Sequence, residues 1–426
     1  MPQQDTIAVV GAGIVGAAAA LALAREGRKV LLLDRAEPGT AGASFGNAGH
    51  IAAELVQPLP SPGLLFGFYR ELFRFGGALD LAPRQALRMS PWIVKFAAAA
   101  FRRAENTRHL APLVRPSAEV WQRWVNAVGR PELLRKHGHY EVSLGAKSAA
   151  HIQNYAREMT QLGVKTRALS AAELLPLRQA AGAQAAAGLW FEDSAYVVDP
   201  LEAVRAFVAA AIEHGAAFRS MNVRALRPRG DKIEVHGEGA SGEGASDNRA
   251  SSNGGPLIVD SALVCAGVRS APLLAPFGLR APLQAVRGYH VEMPGQTSFF
   301  DAPLAYIDDR VIVTPMRGRV RATSFMEFAD PDAPSDARKP ARLRQRLRAL
   351  GYACEAEGPS WLGSRPVLPD YLPGIGRAPG AAKLFYALGH QHIGLTLAPF
   401  TAELIADLVG GREPPIPVAA YDLQRF

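Results

Sequence analysis

Gly11, Gly13 and Gly16, with Asp34 eighteen residues after the last of them, speak most directly to chemistry. In Gly11-Ala12-Gly13-Ile14-Val15-Gly16 each glycine has a separate task. Gly11 permits a tight turn, Gly13 lets backbone N–H groups approach a pyrophosphate, and Gly16 lets a helix pack closely on the preceding strand. Ile14 and Val15 open that helix, whose N-terminus turns unpaired N–H groups and the positive end of its dipole toward the phosphates. Asp34 stands where a carboxylate accepts hydrogen bonds from a ribose diol. The pattern points to a bound dinucleotide. The competing reading is an Ala/Gly-rich helix that only fills a core.

The elements around these residues support the first reading. Residues 7–10 form a short buried strand, the Ala/Leu helix runs to about Glu26, Gly27 ends it, and residues 29–33 form a second apolar strand closed by Asp34. The next segment separates NAD from FAD. An NAD domain returns straight to helix and strand, whereas here Arg35 leads into a loop of small residues with Ser44, Asn47, Gly49 and His50, suited to an extended ligand leaving the sheet. A Pro-rich stretch, 57–63, follows. Residues 64–75 and 86–101 read as apolar helices with basic residues around them, either lying on an anionic membrane surface or packed on their own domain. Asp199 and Pro200 cap and start a helix to about His214, and 218–223 reads as a sheet strand. The polar stretch 236–256 is a hairpin tip with no chemical role. Residues 284–328 alternate as an antiparallel sheet, 336–350 as a solvated basic helix, and 384–409 as strand, glycine turn and helix.

Composition narrows the function classes. With 48% hydrophobic and 20% charged residues over 426 positions, the chain buries a large core in two or three domains. Two cysteines exclude a disulfide scaffold and a thiolate zinc cluster, although one bridge between them stays open. The net charge of +8, carried mainly by arginine, favours anionic partners. No basic stripe interleaved with aromatics suggests nucleic acid. The uncharged run 7–24 is long enough to span a membrane, but its glycines argue for strand, turn and helix. The leading MPQQDT lacks positive charge, so no signal peptide is expected and the location is cytoplasmic. GxSxG, HExxH, CxxC and a nucleoside-triphosphate loop are all missing, and no metal site is expected.

GAGIVG, LLLDR and GASFGNAGHI at the start, LVCAG over 263–267, LGSRPVLPDYLPGIG over 362–376 and LGHQHIGLTLAP over 388–399 together resemble the D-amino-acid oxidase-like flavoproteins, the family of glycine oxidase and D-amino-acid dehydrogenase. Tyr371 replaces a glycine usual in that pattern. The likeness is nearest to the bacterial D-hydroxyproline dehydrogenase branch. It implies an α/β, two-domain flavoprotein with a Rossmann-like FAD-binding domain and an α+β substrate domain built on an antiparallel sheet. The expected segments are 1–66, 196–283 and 361–426 for the FAD domain, and 67–195 and 284–360 for the substrate domain. The implied cofactor is non-covalent FAD, with Val223, Ala266, Gly267, Gly389, Gly394, Leu395 and Thr396 joining the residues above around it. The implied reaction is hydride transfer from Cα of a small D-amino acid, cis-4-hydroxy-D-proline being one candidate, to flavin N5, giving an imine. Arg365 is implied to bind the substrate carboxylate, with Arg287 a weaker candidate. His392 is read as a contact to the amine or a ring hydroxyl, His390 as a brace of its loop, and Tyr289 and Tyr306 as either pocket phenols or packing. Electrons would pass to oxygen or a quinone-linked carrier, with peripheral contact at the inner membrane face. A sarcosine- or glycine-type oxidase, an NAD-dependent dehydrogenase and a non-catalytic flavin-binding subunit are the alternatives.

Overall fold

The computed structural model describes residues 5–183, 186–239, 255–355 and 357–426, with the side chains of 146–151 left aside. The chain divides into two compact units: residues 1–45, 201–284 and 365–426 form the first, and residues 46–200 and 285–364 the second. The expected segments end at 66, 195, 283 and 360; the units here join after 45, 200, 284 and 364. The first falls at Phe45 rather than near residue 66, because the strand His50–Ile51 pairs with Ala195–Val197 of the second unit. Most of the stretch 236–256 lies outside the described residues.

The first unit is built on an eight-stranded sheet in the order Leu257–Val259, Lys232–Gly239, Ala217–Arg229, Lys29–Asp34, Thr6–Val10, Ser261–Val264, Leu384–Leu388, Gly374–Arg377. Its five central strands are parallel and its outer pairings antiparallel. Thr6–Val10 and Leu384–Leu388 are almost wholly buried, which explains why they read as unbroken apolar runs instead of alternating ones. The helices Ile14–Arg25 and Gly394–Gly410 pack on each other. Thr6–Val10 lies between its sequence neighbour Lys29–Asp34 on one side and Ser261–Val264 on the other. A sheet that changes direction at such a point leaves a crevice at the carboxyl ends of its strands. The glycine turn lies there.

The second unit carries a nine-stranded, mostly antiparallel sheet running through Gln284–Pro294, Arg319–Phe328, Val311–Met316, Leu304–Tyr306, His139–Ser143 and Ala187–Phe191, with Leu304–Tyr306 parallel to His139–Ser143. A small three-stranded sheet joins His50–Ile51, Ala195–Val197 and Leu134–Arg135. Both cysteines are free and buried, so the open question of a bridge is answered against one.

Three local expectations are corrected. The helix over 64–75 is instead Pro62–Gly67 followed by 3-10 turns Phe68–Glu71 and Phe73–Phe75, because Leu72 is extended at ψ 135°. The helix over 86–101 breaks into Pro83–Arg88 and Ser90–Ala100, with Pro91, which has no N–H to donate, in the first turn of the second. Packing does not absorb this region: Phe66 is 78% exposed, Phe75 63% and Phe101 71%. Among the described residues no helix is long and apolar enough to cross a membrane. The basic helix is Arg338–Ala349 and is not solvated throughout, since Lys339, Leu343 and Leu347 are buried.

Lys339 shows why. Its ammonium is 0% exposed and lies 2.7 Å from Asp80, 2.8 Å from Glu327 and 3.0 Å from Asp336. Those carboxylates have the spacing of a cation site, and the lysine is the cation. Replacing Lys339 by Met leaves the carboxylates without their counter-charge, so we expect a loss of about 3–5 kcal/mol, read as a lowered denaturant midpoint. An unchanged midpoint would show the network to be dispensable.

Candidate active site

The glycine turn is held by contacts that forbid larger residues. Gly11 has φ +108°, and a Cβ there would fall 2.5 Å from the Cys265 carbonyl oxygen. A Cβ on Gly16 would fall 1.8 Å from the Gly11 carbonyl oxygen. The helix therefore starts directly over the strand end, with Gly13 as its N-cap and the amides of Ile14, Val15 and Gly16 in its first turn. Asp34 Oδ2 accepts from the Ala12 N–H at 2.7 Å, which ties the end of the second strand to the turn. Ser44 Oγ accepts from the Ile14 N–H at 2.9 Å, placing a hydroxyl at the helix N-terminus. Arg35 reaches the Ala41 carbonyl. Ala266 and Gly267, the latter at φ +57°, follow the neighbouring strand Ser261–Val264. Val223 pairs with Gly237 just before an irregularity in the register. The Cys265 thiol is pushed well above its ordinary range by burial, which makes it a poor nucleophile.

Asn47, Gly49 and His50 belong to the second unit. Asn47 Oδ1 accepts from the Gly49 N–H at 2.8 Å, closing a short turn. Arg321 donates to the Asn47 carbonyl at 2.7 Å and is itself held by Glu292 at 2.6 Å. The His290 ring bonds the Gly46 carbonyl at 3.0 Å and stacks on Trp361. The His50 side chain lies against Glu54 at 3.3 Å.

The second cluster of the first unit surrounds the loop before the helix Gly394–Gly410. Arg365 is half-buried near the end of the strand Ser360–Val367. Burial lowers the pKa of its guanidinium and the nearby Tyr371 phenol opposes that shift. Burial in turn raises the Tyr371 phenol, and Arg365 pulls it back. The Tyr371 and His392 rings are 6.2 Å apart, with His392 exposed. Gly389 turns at φ +69°, and a Cβ there would fall 2.4 Å from the Leu368 side chain. His390 bonds Thr401 at 3.1 Å and bridges to Val367, so it ties the loop to both the helix and the strand. Leu395 and Thr396 are buried in the first turn after Gly394.

Arg365, Tyr371 and His392 are thus brought together, whereas three other candidates are engaged elsewhere. Arg287 is fully buried and donates to Glu327 and to the carbonyls of Asp330, Ala333 and Pro334, so it is structural. Tyr289 donates to Glu327 at 2.9 Å inside the same network. The Tyr306 hydroxyl meets that of Tyr352 at 3.2 Å within the second unit's core. Both tyrosines are buried with their hydroxyls hydrogen-bonded inside the second unit.

Two residues gain importance only here. Tyr371 and Gln391 have φ of +62° and +47°, a left-handed conformation that costs about 1–2 kcal/mol for a residue with a side chain. A glycine would adopt this conformation without strain; the tyrosine accepts the strain and puts a phenol beside Arg365. Gln391 is 4% exposed, and among the described residues neither side-chain amide atom has a hydrogen-bond partner. A buried amide of this kind is a ready donor and acceptor for a bound molecule. The tight glycine cradle and this amide fit a dinucleotide carrying a polar ring.

Two predictions follow from the geometry. Gly16→Ala forces the helix off the turn, so the purified variant should lose the yellow colour of a retained flavin while keeping its secondary structure; wild-type colour would contradict the role of the cradle. The buried His390 ring is held down at about 4 against an ordinary 6.5. Its folded-state value is the lower one, so its contribution is complete above pH 6.5 and is lost as pH falls toward 4, by about 3 kcal/mol at most. Denaturant midpoints at pH 7 and pH 4.5 should therefore converge in His390→Gln relative to the parent chain.

Comparison with known proteins agrees with this geometry. Residues 6–408 match the family model of the D-amino-acid oxidase type, FAD dependent oxidoreductase. The chain is 29% identical to D-amino-acid oxidase of Bradyrhizobium diazoefficiens over the full length of both, and 30% identical to D-amino acid dehydrogenase 2 of Ralstonia nicotianae, covering 98% of this chain and 100% of that one. Its fold is similar to that of glycine oxidase from Geobacillus kaustophilus, with a TM-score of 0.75 at 20% identity, covering 99% of this chain and 100% of the other. A match that takes in both the glycine turn and the Arg365 segment places the chain in the FAD-dependent oxidoreductase family of the D-amino-acid oxidase type.

Proposed function

We propose that the protein oxidises a small D-amino acid, with cis-4-hydroxy-D-proline the specific candidate, and passes the electrons to oxygen or a quinone-linked carrier. The observation that carries this reading is the grouping of Arg365, Tyr371 and His392 at one loop of the cofactor unit. An amino acid in water is a zwitterion, and its carboxylate needs a fixed cation. The half-buried Arg365 guanidinium offers a planar fork for it in surroundings that strengthen the attraction. The Tyr371 phenol, protonated at neutral pH, adds a hydroxyl beside the same group. The exposed His392 ring supplies a nitrogen for the amine or for a ring hydroxyl of the substrate. No strong base is required of the chain if the amine is bound already deprotonated.

Gly11, Gly13 and Gly16 with the Val15 amide would hold the pyrophosphate, beside the Ser44 hydroxyl that takes up the Ile14 N–H, Asp34 the ribose, and Val223, Ala266, Gly267 and the loop 389–396 the remainder, without a covalent bond. When bound, FAD supplies the two-electron acceptor for oxidation of the C–N bond. The relatives named D-amino-acid oxidase and D-amino acid dehydrogenase support the reaction class, while the hydroxyproline assignment rests on sequence likeness.

The test is anaerobic bleaching of the bound flavin by a panel of D-amino acids, sarcosine and hydroxyproline isomers. Bleaching by D-amino acids is expected; bleaching by sarcosine or glycine alone would replace the reading with an amine oxidase. Arg365→Ala should raise KM for the best substrate by about two orders of magnitude, the scale of a lost charge-assisted contact, with flavin retained. Unchanged kinetics would remove Arg365 from the site. Turnover with a dye in place of oxygen distinguishes the two acceptors.

A further inference from the structure

A separate group of chemistry-bearing side chains lies wholly within the second unit. His50 leaves the strand His50–Ile51, Glu54 follows it by four residues, and His139 opens the strand His139–Ser143. One ligand atom from each lies within 4.8 Å of the others. Glu54 and His139 are each only 2% exposed. His50 Nε2 is 3.3 Å from Glu54 Oε1, and His139 Nε2 is 4.0 Å from the same oxygen and 3.8 Å from Glu141 Oε1. The two imidazole rings lie against each other with centroids 4.1 Å apart.

The outer contacts orient these atoms. His139 Nδ1 is 3.1 Å from the Pro303 carbonyl. A carbonyl only accepts, so Nδ1 carries the proton, and in the neutral ring Nε2 is a lone pair. Ser194 donates to Glu54 Oε2 at 2.5 Å, leaving Oε1 for the histidines. A histidine anchored through its second nitrogen and a carboxylate held through its second oxygen are the outer shell that metal ligands carry. Lone pairs of His139 and Glu54 therefore meet in a buried place that favours a positive charge, with the Glu141 carboxylate 3.8 Å from His139 Nε2.

A proton on His139 Nε2 is one such charge, but N–H···O bonds are about 2.7–3.2 Å long, and 3.8 and 4.0 Å exceed that. Ligand atoms bound at about 2.0–2.2 Å to a shared ion lie about 3.3–3.6 Å apart in a tetrahedron and somewhat further apart when it is distorted. The 3.3 Å separation from Glu54 Oε1 lies in that range, and the 4.0 Å separation calls for a wide, distorted angle at the ion or a small inward shift of the His139 ring. A cavity of about 80 Å³ lined by Glu54, Ser194, Asp193, Arg115 and Phe191 adjoins the carboxylate.

We infer that His50, Glu54 and His139 bind one divalent transition-metal ion of the zinc class through two imidazole Nε2 atoms and one carboxylate oxygen. Two nitrogens and one oxygen suit zinc rather than magnesium or calcium, which prefer oxygen-only shells. The ion joins the turn after His50–Ile51 to the edge of the strand His139–Ser143. It is thus a clip within the second unit, and its role does not depend on which amino acid the enzyme oxidises. The contrast with Asp80, Glu327 and Asp336 is instructive, since Lys339 already fills that group.

The experiment uses the flavin-loaded full chain, stripped with a chelator, dialysed and titrated with Zn²⁺ alone, with bound metal measured by elemental analysis. One tightly held zinc per chain is expected, with Mg²⁺ unable to displace it. Glu54→Gln and His139→Gln should each weaken zinc binding by at least about 100-fold with flavin content unchanged, because each removes a ligand outright. Carbethoxylation of His50 and His139 in the unaltered chain, mapped by mass spectrometry, should be blocked by zinc; this readout needs no variant to fold. Absence of stoichiometric zinc, uptake that survives both substitutions, or labelling that zinc does not slow would each overturn the site.

Discussion

The close approach of one helix to one strand end is the constraint on which the cofactor unit depends. Gly16 sits so near the Gly11 carbonyl that any side chain would displace the helix. Because the two touch, the helix dipole and its first free amides lie at the carboxyl edge of the parallel sheet, beside Asp34. Gly11 adds the second half of the constraint by lying against Cys265, so the turn is pinned from the neighbouring strand as well. Each of these contacts is backbone against backbone. They are insensitive to side-chain chemistry and demand glycine for reasons of space and of conformation.

The second unit solves a different problem. Around its sheet three buried cations are each matched. Lys339 meets three carboxylates, Arg287 meets Glu327 and three carbonyls, and Arg321 meets Glu292 and the Asn47 carbonyl. Such pairs add little net stability over an apolar core but are costly to break, which makes them devices for holding a particular arrangement. The turn 46–49 is fixed in this way, by Arg321 and by His290 rather than by apolar packing alone.

Tyr371 joins the two kinds of reasoning. Its position calls for a left-handed backbone, which a glycine would adopt without strain. A tyrosine in that conformation gives up stability locally and gains a buried hydroxyl next to a guanidinium. The exchange makes sense where a ligand must be recognised, which is the role proposed for this loop.

Contiguous signals were legible from the residue string. The glycine turn, the strands on either side, Asp34 and the glycine loop before the last helix are local patterns, because the physics that shapes them acts over a few residues; the doubly wound sheet and the cofactor class follow from them. What needed the tertiary structure was long-range. Tyr289 and Tyr306, read as pocket or packing, turn out to bond partners dozens of residues away, Glu327 and Tyr352. The break at Leu72, the burial of Lys339 on a helix that reads as solvated, and the meeting of His50 with His139 likewise depend on which strands become neighbours. Side-chain identity declares what a group is able to do, but pairing across the chain decides what it is left to do, since a hydroxyl or an ammonium already satisfied in the core has no capacity left for a substrate.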